Sequence, residues 1–468
     1  MKKVFLLVAG FFLLDAGIVA QTVSQRLQKA FTAFEKDEQL KHAISSLYVI
    51  DARTGQVVFD KNSQVGLAPA STQKIIISVT AFELLGKEYT YKTELGYEGK
   101  VVKDSLDGFI FLRGHGDPTL GSWRFTSTRP EVIITDFSNH IKEEGIRRIR
   151  NEFFVDNRWF EANNIPDGWI WQDIGNYYGA GVWPLNWKEN QFELSLQSGD
   201  EIGSYVSINK MNDSEIYGET FNNEVKAAKK GSGDNAYIYL PISNRAYSVR
   251  GTIPVSEKEF KISGAIGDAH HYFIDDFRSY LEKENILNKP GVLQFSIILK
   301  MASEGKVFYT HHSPSLDSII YWFNKKSINL YGEALIKTFA YEKQGFGSTD
   351  SGVAIVKKFW KEKGLDEDEL NIYDGSGLSP LNRVTTHAQV EILKYAKTKD
   401  WFPYFHKSLP DHNGMTMKSG TISDVKGFCG YHKAKDGKEY IFSFLVNNYS
   451  GKSSQLVGKM YKVLDELK

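Results

Sequence analysis

The stretch Leu67-Ala68-Pro69-Ala70-Ser71-Thr72-Gln73-Lys74 runs on through Ile75-Ile76-Ile77-Ser78-Val79-Thr80-Ala81-Phe82-Glu83-Leu84-Leu85 to Gly86. Residues 75–85 are apolar enough for a buried helix, and Gly86 is a stop signal. Ser71 opens that helix, and Lys74, three residues on, shares its face. A serine hydroxyl is too weakly acidic to attack unaided and needs an adjacent base. A lysine serves once burial and nearby cations lower its proton affinity. The positive end of the helix dipole favours the negative charge that develops during attack. The spacing therefore predicts Ser71 as nucleophile and Lys74 as its base. The plainer alternative makes Ser71 only a helix cap.

Ser-x-x-Lys alone selects little, because it occurs at Ser71/Lys74, Ser207/Lys210, Ser303/Lys306 and Ser423/Lys426. Only the first opens a long apolar helix. Upstream, Leu27, Phe31, Phe34 and Leu40 predict a helix over 22–44. Strands are expected over 46–50 and 56–59, joined by a turn at 51–55. The far end mirrors this, with paired strands over 415–430 and 439–447, turned at Asp436-Gly437, and an amphipathic helix over 453–468. The two termini thus predict one α/β (α+β) layer domain, an antiparallel sheet with helices, made of 21–94 and 301–468. Residues 95–300 have another texture, rich in Gly, Asn and short aromatic strands such as 108–112, 148–155 and 236–240. They read as a large β-rich insertion of two subdomains.

Two more motifs join the first. Ser327-Ile328-Asn329 precedes the apolar-periodic Leu330, Tyr331, Ala334, Leu335 and Ile336. Its rival, Ser207-Ile208-Asn209, has no helix behind it. The Ser327 hydroxyl can relay a proton, and the Asn329 amide can hold Lys74 and a substrate backbone. Lys418-Ser419-Gly420-Thr421 lies on a predicted strand. Lys418 offers a cation to a carboxylate, and Gly420 permits close backbone approach. The Thr421 N–H can join that of Ser71 as an oxyanion hole. Ser71, Ser327 and Lys418 in this order form the motif set of penicillin-binding proteins and β-lactamases.

With these motifs in place, the chain resembles the class C low-molecular-mass penicillin-binding proteins, the D-alanyl-D-alanine carboxypeptidase/endopeptidase family. Four further stretches are similar to that family: residues 112–120 (Leu112 to Leu120), Asp167-Gly168-Trp169 through Ala180, Val249 to Pro254, and Asp374-Gly375-Ser376-Gly377-Leu378-Ser379. The resemblance implies a penicilloyl-serine transferase (β-lactamase-like) fold whose Ser71 is acylated by the D-Ala-D-Ala end of peptidoglycan stem peptides. It implies that Lys418 and Ser419 bind the terminal carboxylate, that β-lactam antibiotics acylate Ser71, and that Asp156 faces the diaminopimelate amine. Three positions depart from the family pattern. Ser419 stands where Thr is usual, Pro380 where a basic residue is common, and His115 where a small residue is found. His115 is expected to be solvated or packed, without a catalytic part.

Two other functions compete. Glu367-x-x-Leu370-Asn371 is similar to the deacylating motif of class A β-lactamases, but 370–373 reads better as a strand leading into Asp374. A non-catalytic cell-wall binding protein on the same fold would not need all three motifs intact. No cofactor or metal is expected. His270-His271 and His311-His312 are adjacent pairs whose side chains point apart, and the single cysteine, Cys429, reads as a small buried hydrophobe. Lys+Arg and Asp+Glu balance at 57 each, which argues against nucleic-acid binding. Lys2-Lys3, the apolar run 4–14 and Ala20 read as a signal peptide over 1–20. The chain is expected to be exported to the periplasm, with at most peripheral membrane contact.

Overall fold

The computed structural model describes residues 21–149, 153–211, 220–241, 246–287 and 305–468. The signal peptide read over 1–20 lies outside the described residues, as does Ser303. The amino-terminal helix is Val23–Glu35, opened by a capping box in which the Thr22 hydroxyl accepts from Gln25 N. It is shorter than the 22–44 expected. A 3₁₀ turn, Glu38–Leu40, follows, and the strand Ile44–Asp51 begins where the helix was expected to end. Tertiary pairing decides this, since Ile44, Ser45 and Ser46 lie opposite Asn447, Val446 and Leu445.

That pairing joins the two termini. A six-stranded antiparallel sheet runs Asp411–His412, Met415–Ile422, Val425–Lys433, Glu439–Asn447, Ile44–Asp51, Val57–Lys61. The stretch 415–430, expected as one strand, is a hairpin. Asp424 turns it with a left-handed φ of 54°, a conformation open to Asp and Asn at modest cost. Phe31, Phe34, Leu456 and Met460 from Val23–Glu35 and Ser453–Leu464 cover one sheet face, against Phe442, Phe444 and Val446. The other face carries the helices Lys74–Leu84, Leu316–Lys325, Asn329–Gln344, Thr349–Glu362 and Thr386–Lys397. Lys74–Leu84 lies at the centre of this layer, with Ile75, Ile76, Ile77, Val79 and Ala81 all fully buried. A helix apolar all round has no solvent face to present.

The intervening chain has two apolar cores. In the first, Lys306–His312, Lys92–Val102, Ser105–Gly114, Arg148–Ile149 and Phe153–Asp156 form a mixed sheet. Phe137, Phe273 and Phe277 from the helices Pro130–Glu143 and Ala269–Lys283 pack on it. This sheet takes in Lys92 and reaches His312, so it extends past the expected limits of 95 and 300. In the second core Phe192, Ile238, Val249 and Ile262 join a three-stranded and a four-stranded sheet.

Candidate active site

Ser71 sits in a 3₁₀ turn, Ala70–Gln73, which tightens the chain just before the helix Lys74–Leu84. Ala70 is held at φ 47°, a strained value for a residue with a Cβ. Gly377 presses on this kink, since a Cβ there would lie 2.0 Å from Ala70 O. The Lys74 side chain is fully buried. Its Nζ donates to Ser71 Oγ at 3.0 Å, Asn329 Oδ1 at 2.7 Å and Ser376 O at 2.7 Å. An ammonium has three N–H donors, and each has an acceptor here. In the neutral amine two N–H groups remain for Asn329 and Ser376, which leaves the lone pair to face Ser71. Burial, then the charge of Lys418, pulls the Lys74 proton affinity well below that of a free lysine, and Glu333 and Asp374 oppose the shift.

Ser327 lies between the helices Leu316–Lys325 and Asn329–Gln344, with a left-handed φ of 57°. Lys418 Nζ donates to Ser327 Oγ at 3.0 Å and to Ser419 O at 2.9 Å. Burial brings Lys418 down to about 7; neighbouring Cys429 resists this and Lys426 adds to it. Asn329 Nδ2 donates to Tyr178 O at 2.7 Å, so its amide bridges Lys74 and the intervening chain. Gly420 brings the strand Met415–Ile422 against the nucleophile turn. A Cβ there would lie 2.6 Å from Pro69 O and 2.9 Å from Ser71 N. The Thr421 hydroxyl accepts from Lys426 Nζ at 2.7 Å. The rival Ser207 is exposed on a strand, bonded to Asn209 Oδ1.

A cleft of about 470 Å3 opens over these groups. Ser71, Ser327, Asn329 and Thr421 form the wall that comes from the domain built by the two termini, and Asp173, Tyr177, Tyr178 and Tyr237 the wall that comes from the intervening chain. Asp156 is not on it. Its carboxylate is buried and accepts from Arg113 Nε at 3.0 Å and from Arg158 Nε and Nη2, both at 2.9 Å. Burial raises its pKa, but the bonds from Arg158 and Arg113 prevail and hold it below the usual carboxylate range. Two guanidinium groups thus hold the Asp156 carboxylate, which was expected to face a substrate amine. Two carboxylates line the cleft: Glu189, paired with Arg124 at 2.7 Å, and Asp173, pushed up by burial and hydrogen-bonded by the Tyr178 hydroxyl at 3.3 Å. Nothing local in the sequence separates Asp173 from its neighbours.

Sequence reasoning also missed why Asp374 to Ser379 matters. The buried Asp374 carboxylate accepts from Gln73 Nε2, Gly377 N, Asn382 Nδ2, Ser379 N and Trp169 Nε1. It thus holds the loop that offers Ser376 O to Lys74. Pro380 lines the cleft. Glu367 is paired with Lys361 at 2.9 Å, away from the cleft lining. His115 is packed between Tyr341 and Glu94.

The D-Ala-D-Ala carboxypeptidase 3 (S13) family matches residues 27–466. The D-alanyl-D-alanine carboxypeptidase of Actinomadura sp. (strain R39) is 26% identical over 452 residues, covering 91% of this chain and 81% of that protein. The D-alanyl-D-alanine carboxypeptidase DacB of Haemophilus influenzae is 25% identical over 420 residues, covering 84% and 83%. The crystal structure of penicillin binding protein 4 (dacB) from Haemophilus influenzae shares the fold, with a TM-score of 0.76 at 20% identity over 95% of this chain and 99% of that one. With the match spanning both termini and everything between, the chain belongs to the D-Ala-D-Ala carboxypeptidase 3 (S13) family.

Proposed function

We propose that the protein is a serine-type D-Ala-D-Ala carboxypeptidase acting on peptidoglycan stem peptides through an acyl-enzyme on Ser71. The observation that carries this reading is the buried Lys74 amine, 3.0 Å from Ser71 Oγ, with its other acceptors fixed. Neutral Lys74 takes the Ser71 proton as Oγ attacks the carbonyl carbon of the penultimate D-Ala. The oxyanion is received by the N–H groups of Ser71 and Thr421. The Lys418 ammonium and Ser419 hydroxyl bind the terminal carboxylate. Ser327 passes the proton from Lys74 to the departing D-Ala nitrogen as the C–N bond breaks. Water then cleaves the ester and returns a proton to Ser71. A β-lactam acylates the same oxygen.

Asp173 meets an amine on the substrate side chain; Glu189, the other lining carboxylate, is already paired with Arg124. The protein is exported, residues 1–20 are removed, and it acts in the periplasm. Amino-terminal sequencing of the mature protein is expected to begin at Gln21.

Incubation with a purified monomeric pentapeptide is the direct test. Free D-Ala is expected, along with a penicilloyl adduct on Ser71 by mass spectrometry. A folded enzyme that gives neither would refute the assignment. Cross-linked dimers in the same assay read endopeptidase action.

A further inference from the structure

Glu333 lies one helical turn after Asn329 on Asn329–Gln344, on the same side of the helix. It is buried, yet the steps above make no use of it. Its Oε2 accepts from Gly375 N at 2.9 Å and its Oε1 from Ser376 N at 2.8 Å. The two backbones touch beside it, since a Cβ on Gly375 would lie 2.1 Å from Gly332 O. The N–H groups that Glu333 grips lie just before the carbonyl Ser376 O, which receives Lys74 Nζ at 2.7 Å. A carboxylate with one acceptor oxygen on each N–H has a geometry that glutamine, with a single acceptor oxygen, cannot reproduce.

We propose that Glu333 is a positioning residue for Lys74: it clamps the Gly375-Ser376 backbone that orients the amine, and its charge sets how readily that amine takes a proton. The inference rests on the proposed role of Lys74 as base. The charged groups around Glu333 are few. Lys74 faces it from the nucleophile helix, Asp374 from the loop, and Lys337 from its own helix, while Lys418 acts on Lys74 from the sheet. Burial, then Asp374, pushes the Glu333 carboxyl up, against the bonds from Ser376 and Gly375 and the charge of Lys74. An ionised Glu333 holds a proton on Lys74. Removing that negative charge makes Lys74 a weaker base that is neutral at lower pH.

The test is acylation of Ser71 by a fluorescent penicillin between about pH 5 and pH 10 in wild type, Glu333→Gln and Glu333→Asp. Wild type is expected to show an acid limb set by Lys74. In Glu333→Gln the plateau is expected to fall about tenfold and the limb to move about one pH unit lower. Glu333→Asp keeps the charge but cannot reach both N–H groups, so its plateau falls while its limb stays. A Glu333→Gln limb that coincides with wild type overturns the inference, because a purely structural role moves the plateau and the melting temperature alone. If Glu333→Gln does not fold, Glu333→Asp decides, and a shifted limb or an unchanged plateau overturns the inference. Failure of wild type to acylate at Ser71 removes the underlying reading instead, whatever Glu333 does.

Discussion

The two walls of the cleft are built in opposite ways. Behind the catalytic wall, Lys74, Lys418, Glu333 and Asp374 are buried, and each is held by the hydrogen bonds described above. On the facing wall, Tyr177 is 54% exposed and Ile170 41%, and Asp173 has one described side-chain hydrogen bond, from Tyr178. The first wall is rigid because a buried charge without partners costs several kcal/mol. The second presents loosely fixed aromatic and acidic groups, a texture suited to recognising a ligand. The cleft thus joins a tightly bonded part of the chain to a more exposed one. Among the bonds that join them are Asn329 Nδ2 to Tyr178 O, Trp169 Nε1 to Asp374 Oδ2, Ser379 Oγ to Gly168 O and the Tyr331 hydroxyl to Glu189 Oε1.

The largest break is on the catalytic wall. Ser71→Ala is expected to abolish the penicilloyl adduct and lower D-Ala release by about 10³-fold or more, with an unchanged melting temperature. A residual adduct would place the nucleophile elsewhere. Next comes Lys418, whose ammonium must be charged to hold a carboxylate. Its proton is lost as pH rises through about 7, although a bound carboxylate raises that value. The expected result is kcat/KM falling on the alkaline side for a peptide with a free terminal carboxylate, and a flatter profile for its amide. Equal profiles would remove Lys418 from carboxylate binding.

The recognition wall gives smaller effects. Asp173→Asn is expected to raise KM about tenfold for a stem peptide bearing a free side-chain amine. With the amine acetylated, the two enzymes are expected to match in KM, and kcat to change little in either case. Smallest in activity is Asp156→Asn. Turnover stays within about twofold of wild type, because the residue is outside the cleft. Stability falls by about 1–3 kcal/mol, because Arg113 and Arg158 lose a charged acceptor. A loss of turnover with retained stability would return Asp156 to the substrate.

Much of the catalytic wall was legible in the sequence. Ser71, Lys74, Ser327, Asn329 and Lys418 announce themselves by spacing and by the helix or strand that carries each. The recognition wall was not legible, and Asp156 and Asp173 show why. Both are aspartates in aromatic segments of the intervening chain, Asp156 followed by Asn157 and Asp173 by Ile174. What separates them is the pair of arginines from Arg113 and Arg158, one of which is brought in by the pairing of Phe153–Asp156 with Ser105–Gly114. The short amino-terminal helix has the same cause, because a strand partner about 400 residues away outcompetes local helical periodicity.

By itself, the sequence singled out the groups proposed to do the chemistry, because a nucleophile and its base need fixed residue types at a short spacing on one element, and Ser327 and Lys418 stand in motifs of their own. Tertiary structure alone decided which carboxylates line the cleft and which lie beside Lys74. Such choices rest on burial and on partners from distant segments, and a side chain's charge acquires its function only from what is folded against it.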